Sequence, residues 1–449
     1  MTSTITTLTP TGTLGYGFGS EALQGGLAMK PDVIAVDAGS TDPGPYYLGT
    51  GEPLVSDYSV RKELEQLILA ARERKIPVIV GSAGGAGTNK QVDRVAQIVR
   101  EIAREHKLSF KLATIYAEIE RERAKQAFRR KEIVDFEAGF ELTEDIIDAT
   151  DSLVAQMGHE PICSALDRGA DVIIAGRACD DSVIAAYAIW RGADPGHAIH
   201  MGKILECGAF SAEPFAMDVM VGILEEDSFL LEPGASFRRA SVKSVAAHSL
   251  YERENPFIQS GPGHRIDLSA CTFEQEGDRR VRVRGAALEE TSEYYIKLEG
   301  ARRVGSRSIS IAGIRCPTMI ERIDTILPNI ERQATSYFAG RSFKLNFHVY
   351  GRDAVMKTLE TERNKRAKEL GLIIDVVAPT ADEAHAICHN ISGSLLHHHY
   401  DGMKNTSGNL AFPYSPSDLH AGDVYEFSVY HLMKVTSPLE VFPIHMETL

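Results

Sequence analysis

The sequence predicts an α/β protein: a mainly parallel-sheet N-terminal domain with a mixed, strand-rich portion, followed by a smaller C-terminal α+β domain. Three observations carry this expectation. Across roughly the first 190 residues, short apolar runs alternate with amphipathic stretches, the pattern of repeated strand–helix units. Three of the apolar runs open into loops rich in glycine and aspartate. The chain then changes character near residues 200 and 335, and 449 residues are more than one hydrophobic core usually serves. The expected domains are 1–335, with a core sheet at roughly 10–200 and the mixed portion at 200–335, and 336–449.

In chain order, 13–18 reads as the first strand. Residues 32–37 form a clear one, four apolar residues framed by aspartates. Leu64, Leu67, Ile68 and Ala71 make a helical stripe over 60–75. A strand over 76–80 opens into the glycine run 81–87. A helix over 90–106 carries Val92, Val95, Ile98, Val99 and Ile102 on one face, and a strand follows at 110–115. After a charged helical stretch around 116–131, the run 169–175 is another strand, with a helix from Ser182 to Arg191. In the middle portion, 238–245, 280–284 and 308–314 read as short strands. Beyond it, strands at 343–350, 372–377 and 424–433 enclose helices at 354–370 and 381–397.

Composition bounds the function. A hydrophobic fraction of 43% with 24% charged residues is that of a globular chain. No apolar run reaches the ~20 residues of a bilayer span, and the N-terminus carries no basic and apolar leader. Six scattered cysteines without a C-x-x-C pair read as free thiols in a reducing compartment, so the expected location is the cytoplasm. A formal charge of −14 argues against nucleic acid as a partner. A small anionic substrate stays compatible with it, because a few arginines in one cleft override the average field.

In a parallel sheet the strand carboxyl ends face a common crevice where ligands bind. The loops expected there are 37–45, 81–89 and 176–181. Asp37, Ser40, Thr41 and Asp42 come from the first, and Ser82, Gly84, Gly85, Gly87 and Thr88 from the second. Arg177, Asp180 and Asp181 come from the third, and Glu206 follows from an amphipathic stretch. Each loop also has an ordinary reading: Asp-Pro-Gly-Pro is a strong turn, and Asp, Ser or Thr after a strand often caps the next helix. Four glycines in seven residues exceed what a turn needs and suggest amides aimed at a carboxylate or phosphate. The run lacks the ending of a Walker loop, and Gly15-x-Gly-x-Gly19 resembles a dinucleotide fingerprint only in part. His385 and His389 stand four residues apart on a helical face, a spacing able to bind metal, although a solvated face is the commoner outcome.

The segments 32–39, 169–181 (GADVIIAGRACDD), 205–208 (LECG), 224–234 and 241–251 together resemble the acyclic terpene utilisation (AtuA) family over roughly 10–350. The segments 409–414 and 425–431 resemble the small domain that accompanies it. The family is named for pathways degrading branched terpenoid acyl chains, and the resemblance implies lyase or hydratase chemistry on small carboxylates or acyl thioesters. Cys179 stands where a Thr or Val is expected in many relatives, which leaves room for a different substrate.

The expected function is therefore a lyase, a hydratase, dehydratase or ammonia-lyase, acting on a small unsaturated or hydroxylated carboxylate or acyl-CoA. Such chemistry needs a base, an acid and a group that holds the developing enolate. Asp37 or Asp42 is expected to move the proton, with Asp180 or Asp181 as the second acid/base or a Mg²⁺ ligand. Arg177 would hold the carboxylate, and the 81–87 amides the enolate. The alternatives are a non-catalytic acyl-ligand-binding or scaffold subunit, and an amide or thioester hydrolase. A homo-oligomer is expected.

Overall fold

The structure is a computed structural model that describes residues 4–40, 43–136, 139–252, 255–362, 365 and 367–449. Thr41 and Asp42 of the expected site lie outside the described residues. The chain divides into two compact units, one of residues 1–302 and 427–449 and one of 303–426.

The first unit is built on β1 (Ile5–Thr9), β2 (Val33–Asp37), β3 (Val78–Gly81), β4 (Lys111–Ile115), β5 (Ile133–Asp135), β6 (Ser152–Gln156) and β7 (Val172–Ala175). A ten-stranded sheet has at its centre the parallel order β1-β2-β3-β7-β4. Met220–Leu224, Phe229–Pro233, Arg280–Arg284 and Thr272–Glu276 extend it antiparallel beyond β1, and Ile444–Thr448 pairs antiparallel with β4. The fold is thus α/β as expected, but its large sheet is mixed: half the strands are antiparallel. Those five come from the middle and the end of the chain, where βα alternation has stopped.

The parallel strands are apolar on both faces because helices cover both. Val33, Ala35, Ile79 and Ile173 face one core, under the helices Asp180–Trp190 and Pro195–Leu205. Ile34, Val36, Val80 and Ile174 face the other, under Asp57–Arg74 and Asn89–Glu105. Strand β6 lies apart from this sheet and pairs with 297–301 of the strand Tyr294–Ile314.

Several local expectations change. Residues 13–18 form turns around Gly15 and Gly17, both at positive φ. The first strand is Ile5–Thr9, whose threonines look polar but are β-branched and buried. Residues 242–249 are a helix started by a capping box at Ser241. Where a helix over 354–370 is expected, the described residues hold turns and the short 3₁₀ helix Lys357–Leu359, and Leu370 begins a strand. In the second unit, 306–314, Lys344–Tyr350 and Leu370–Ala378 form an antiparallel sheet. Ile323 and Ile330 of the helix Pro317–Tyr337 and Ile387 and Ile391 of Ala381–Leu396 pack in one core with Leu372 and Ile374 of that sheet. Among the described residues, no helix is long and apolar enough to cross a membrane.

Candidate functional site

Because β2, β3 and β7 are neighbours, their carboxyl ends bring Asp37, Ser82 and the 176–181 loop together. The loops are stitched by backbone bonds from Ala38 to Gly81 (3.0 Å), Ser82 to Gly176 (3.0 Å) and Ala83 to Ala175 (2.9 Å). Gly87 touches the Arg177 backbone so closely that a Cβ there would lie 2.1 Å from the Arg177 nitrogen. Ser82 takes a positive φ of 46°, unusual for a residue with a side chain. Its buried hydroxyl is a hub, accepting from the Ala178 amide (3.2 Å) and from Arg177 Nη1 (3.3 Å).

Around this hub lies a buried charge network. Arg177 donates Nε and Nη2 to the two oxygens of Glu299, at 2.7 and 3.3 Å. Lys297 Nζ reaches the same carboxylate at 2.7 Å. Arg177 Nη1 lies 3.9 Å from Asp180, and Lys203 pairs with Glu206 at 2.5 Å. Asp181 accepts from Ser182 and from Gln259. The helix Pro195–Leu205 can bring Lys203 this close because Gly202 has no side chain: a Cβ there would lie 2.3 Å from the Asp181 carbonyl oxygen.

Carboxyl groups thus crowd around three cations, Arg177, Lys203 and Lys297, in environments that differ. Burial tends to neutralise Glu299, but the Arg177 and Lys297 charges overcome it and hold the carboxyl at about 2. Burial, then the like charge of Asp180, push Asp37 well above the usual carboxylate range. Burial also raises Asp180, against the pull of Arg177 and Lys203, and lifts Glu206 well above its ordinary value despite Lys203. Asp37 Oδ2 accepts from the Gly39 amide at 2.8 Å, while Oδ1 of Asp37 and Oδ1 of Asp180 are buried without a hydrogen-bond partner. Asp180 nonetheless exposes 39% of its side chain. Burial and their like charges thus push Asp37 and Asp180 in the same direction, toward the neutral form.

Next to Asp180, Cys179 lines a cavity of about 340 Å³. Lys297, Gln156, His264, Tyr295 and Phe136 share its wall. Lys297 Nζ lies 5.1 and 5.8 Å from the ring centres of Tyr430 and Phe136. His264 Nδ1 faces the Pro262 carbonyl at 3.0 Å, and its Nε2 has no partner. On the same side of the unit, Tyr294 donates to Glu160 at 2.8 Å, and burial lowers the neighbouring His159.

Asp37, Ser82, Arg177, Asp180, Asp181 and Glu206 are thus gathered in one network, while other expected residues serve the scaffold. Thr88 caps the helix Asn89–Glu105 in a capping box with Gln91. The Gly84 carbonyl accepts from Leu54, the Gly85 amide donates to Ser82, and Ser40 donates to the Gly85 carbonyl. The glycines serve close internal packing: Cβ atoms at Gly84 and Gly85 would press on Gln91 and Leu54. The fork of Arg177 is filled by Glu299. Among the described residues, no three His, Cys, Asp or Glu side chains are grouped to hold a metal. Lys297, Glu299 and His264 escaped the sequence reading. The signal for the first two was present: Lys297 and Glu299 sit two apart in a strand, on one face, amid apolar residues.

The model of the acyclic terpene utilisation family protein AtuA matches residues 57–417. The chain belongs to the AtuA family. Within the family match lie Ser82, the 176–181 loop, Glu206, Lys297 and Glu299; Asp37 precedes it. No curated protein and no solved structure matches the chain.

Proposed function

We propose that this AtuA-family protein is a lyase that adds or removes water or ammonia next to the carboxylate or thioester carbonyl of a small acyl substrate. The observation that carries the reading is the Asp37–Asp180 pair, two carboxyls raised by burial, with Cys179, next in sequence to Asp180, lining a cavity that Lys297 shares. A carboxyl raised toward neutrality is suited to give and take a proton at physiological pH. Asp180, the more open of the two, exchanges the proton with the substrate; Asp37 beneath it keeps the pair's shared proton. Lys297 meets the substrate carboxylate or carbonyl oxygen and stabilises the enolate as charge develops there. Arg177, with its fork on Glu299, holds that carboxylate under Lys297 and so positions the ammonium. The family's link to acyclic terpene utilisation supports a branched acyl chain, which the apolar wall at Phe136, Pro262 and Leu432 would accept.

The test is ultraviolet absorbance against a panel of unsaturated acids and their coenzyme A thioesters. Asp180→Asn is expected to lower kcat by roughly 100-fold or more, the usual share of a general acid or base. Lys297→Met should raise KM and lower kcat. Turnover in Asp180→Asn within about threefold of wild type, set against that ~100-fold expectation, would sink the assignment.

A further inference from the structure

Far along the chain from the proposed catalytic residues, on the helix Ala381–Leu396 of the second unit, His385 and His389 present exposed rings one turn apart. Their ring centres are 6.3 Å apart and the planes only 16° from parallel. Beneath them, Asp418 is a carboxylate with 4% of its side chain exposed. It accepts from His389 Nδ1 at 2.8 Å, from Ser392 Oγ at 2.8 Å and from Ser417 Oγ at 3.2 Å.

We infer that His385 and His389 form a two-histidine site for a divalent transition ion of the Zn²⁺ class, with Asp418 orienting the metal-binding ring. The chemistry is that of carboxylate–histidine–metal arrangements, in which the carboxylate takes the N–H of one ring nitrogen and leaves the other nitrogen to the ion. The bond from Nδ1 to Asp418 selects the tautomer of His389 with a bare Nε2, and its side chain is 73% exposed. With zinc–nitrogen bonds of about 2.1 Å and a tetrahedral angle, two imidazole ring centres lie roughly 5 Å apart. The rings stand 6.3 Å apart, so the proposed site requires the exposed His385 ring to turn toward His389 when the ion binds. Imidazole nitrogen selects Zn²⁺, Ni²⁺ or Cu²⁺ over Mg²⁺ and Ca²⁺. Among the described residues no third His, Cys, Asp or Glu completes the set, so water or a small anion fills the other positions.

Isothermal titration of the full chain with ZnCl₂ tests this. One zinc ion per chain is expected, with His385→Ala and His389→Ala each weakening binding at least about tenfold. Asp418→Asn should weaken it by about 10–100-fold, the usual effect of losing an orienting carboxylate. His385 is exposed, so its variant keeps the fold even where Asp418→Asn does not, and circular dichroism checks both. Absence of stoichiometric binding overturns the proposal. So does binding unchanged in His385→Ala and His389→Ala but lost when His397, His398 and His399 are replaced.

Discussion

Replacing Glu299 by glutamine is the sharpest perturbation of the network. A carboxyl held at about 2 instead of its ordinary 4.5 represents roughly 3 kcal/mol between its two protonation states, at about 1.4 kcal/mol per tenfold. The variant also leaves Arg177 and Lys297 without their shared anion, and breaking such a buried pair usually costs about 3–5 kcal/mol. We therefore expect a loss of about 3–5 kcal/mol for the first unit. Because Glu299 is depressed, its contribution is complete above about pH 4.5 and fades as pH falls toward about 2. The gap between wild type and Glu299→Gln should narrow over that window. The chain's single tryptophan, Trp190, ends the helix that starts at Asp180, so its fluorescence in urea titrations reports this unit. A loss under about 1 kcal/mol, or a gap that does not change with pH, would refute the argument that buried Glu299 is held ionised by the two cations.

Other substitutions separate scaffold from site. Gly202→Ala puts a methyl where only 2.3 Å separates it from the Asp181 carbonyl oxygen, so thermal unfolding should show a loss of about 1–3 kcal/mol. A Tm equal to wild type would mean that the two helices do not pack this tightly. Thr88→Ala removes one half of the capping box at Asn89–Glu105 and should cost about 1 kcal/mol in the denaturant midpoint. Ligand affinity, measured by thermal shift, should stay unchanged; weakened binding without loss of stability would return Thr88 to the site.

The βα portion was legible because its strands are apolar on both faces and its helices carry clean stripes, so 32–37, 110–115 and 381–397 stand nearly as read. The first strand was hidden because threonine is polar in composition but β-branched in conformation. The antiparallel strands that flank the parallel core were not legible as one sheet, since Ile444–Thr448 pairs with a strand more than three hundred residues earlier. At the site, the cluster of carboxylates could be read from the loops that end adjacent strands. Which carboxylate meets which cation could not. Arg177 looked free in sequence, and its partner Glu299 is 122 residues away. The glycines of 81–87 looked like ligand-facing amides, yet they answer the close approach of Arg177, Gln91 and Leu54.

The central claim is that Asp37 and Asp180 hold a proton between them in the resting protein. Difference infrared spectroscopy of wild type against Asp37→Asn at pH 7 reads this directly, because a protonated carboxyl and a carboxylate absorb apart. A raised carboxyl stays neutral until pH climbs past its folded value, so wild type should show a protonated carboxyl band that the variant lacks. The variant should also be at least as stable as wild type at neutral pH, since burial keeps this carboxyl from the ionised form that it takes freely in the unfolded chain. Identical spectra, with both carboxyls ionised at pH 7, would contradict the account.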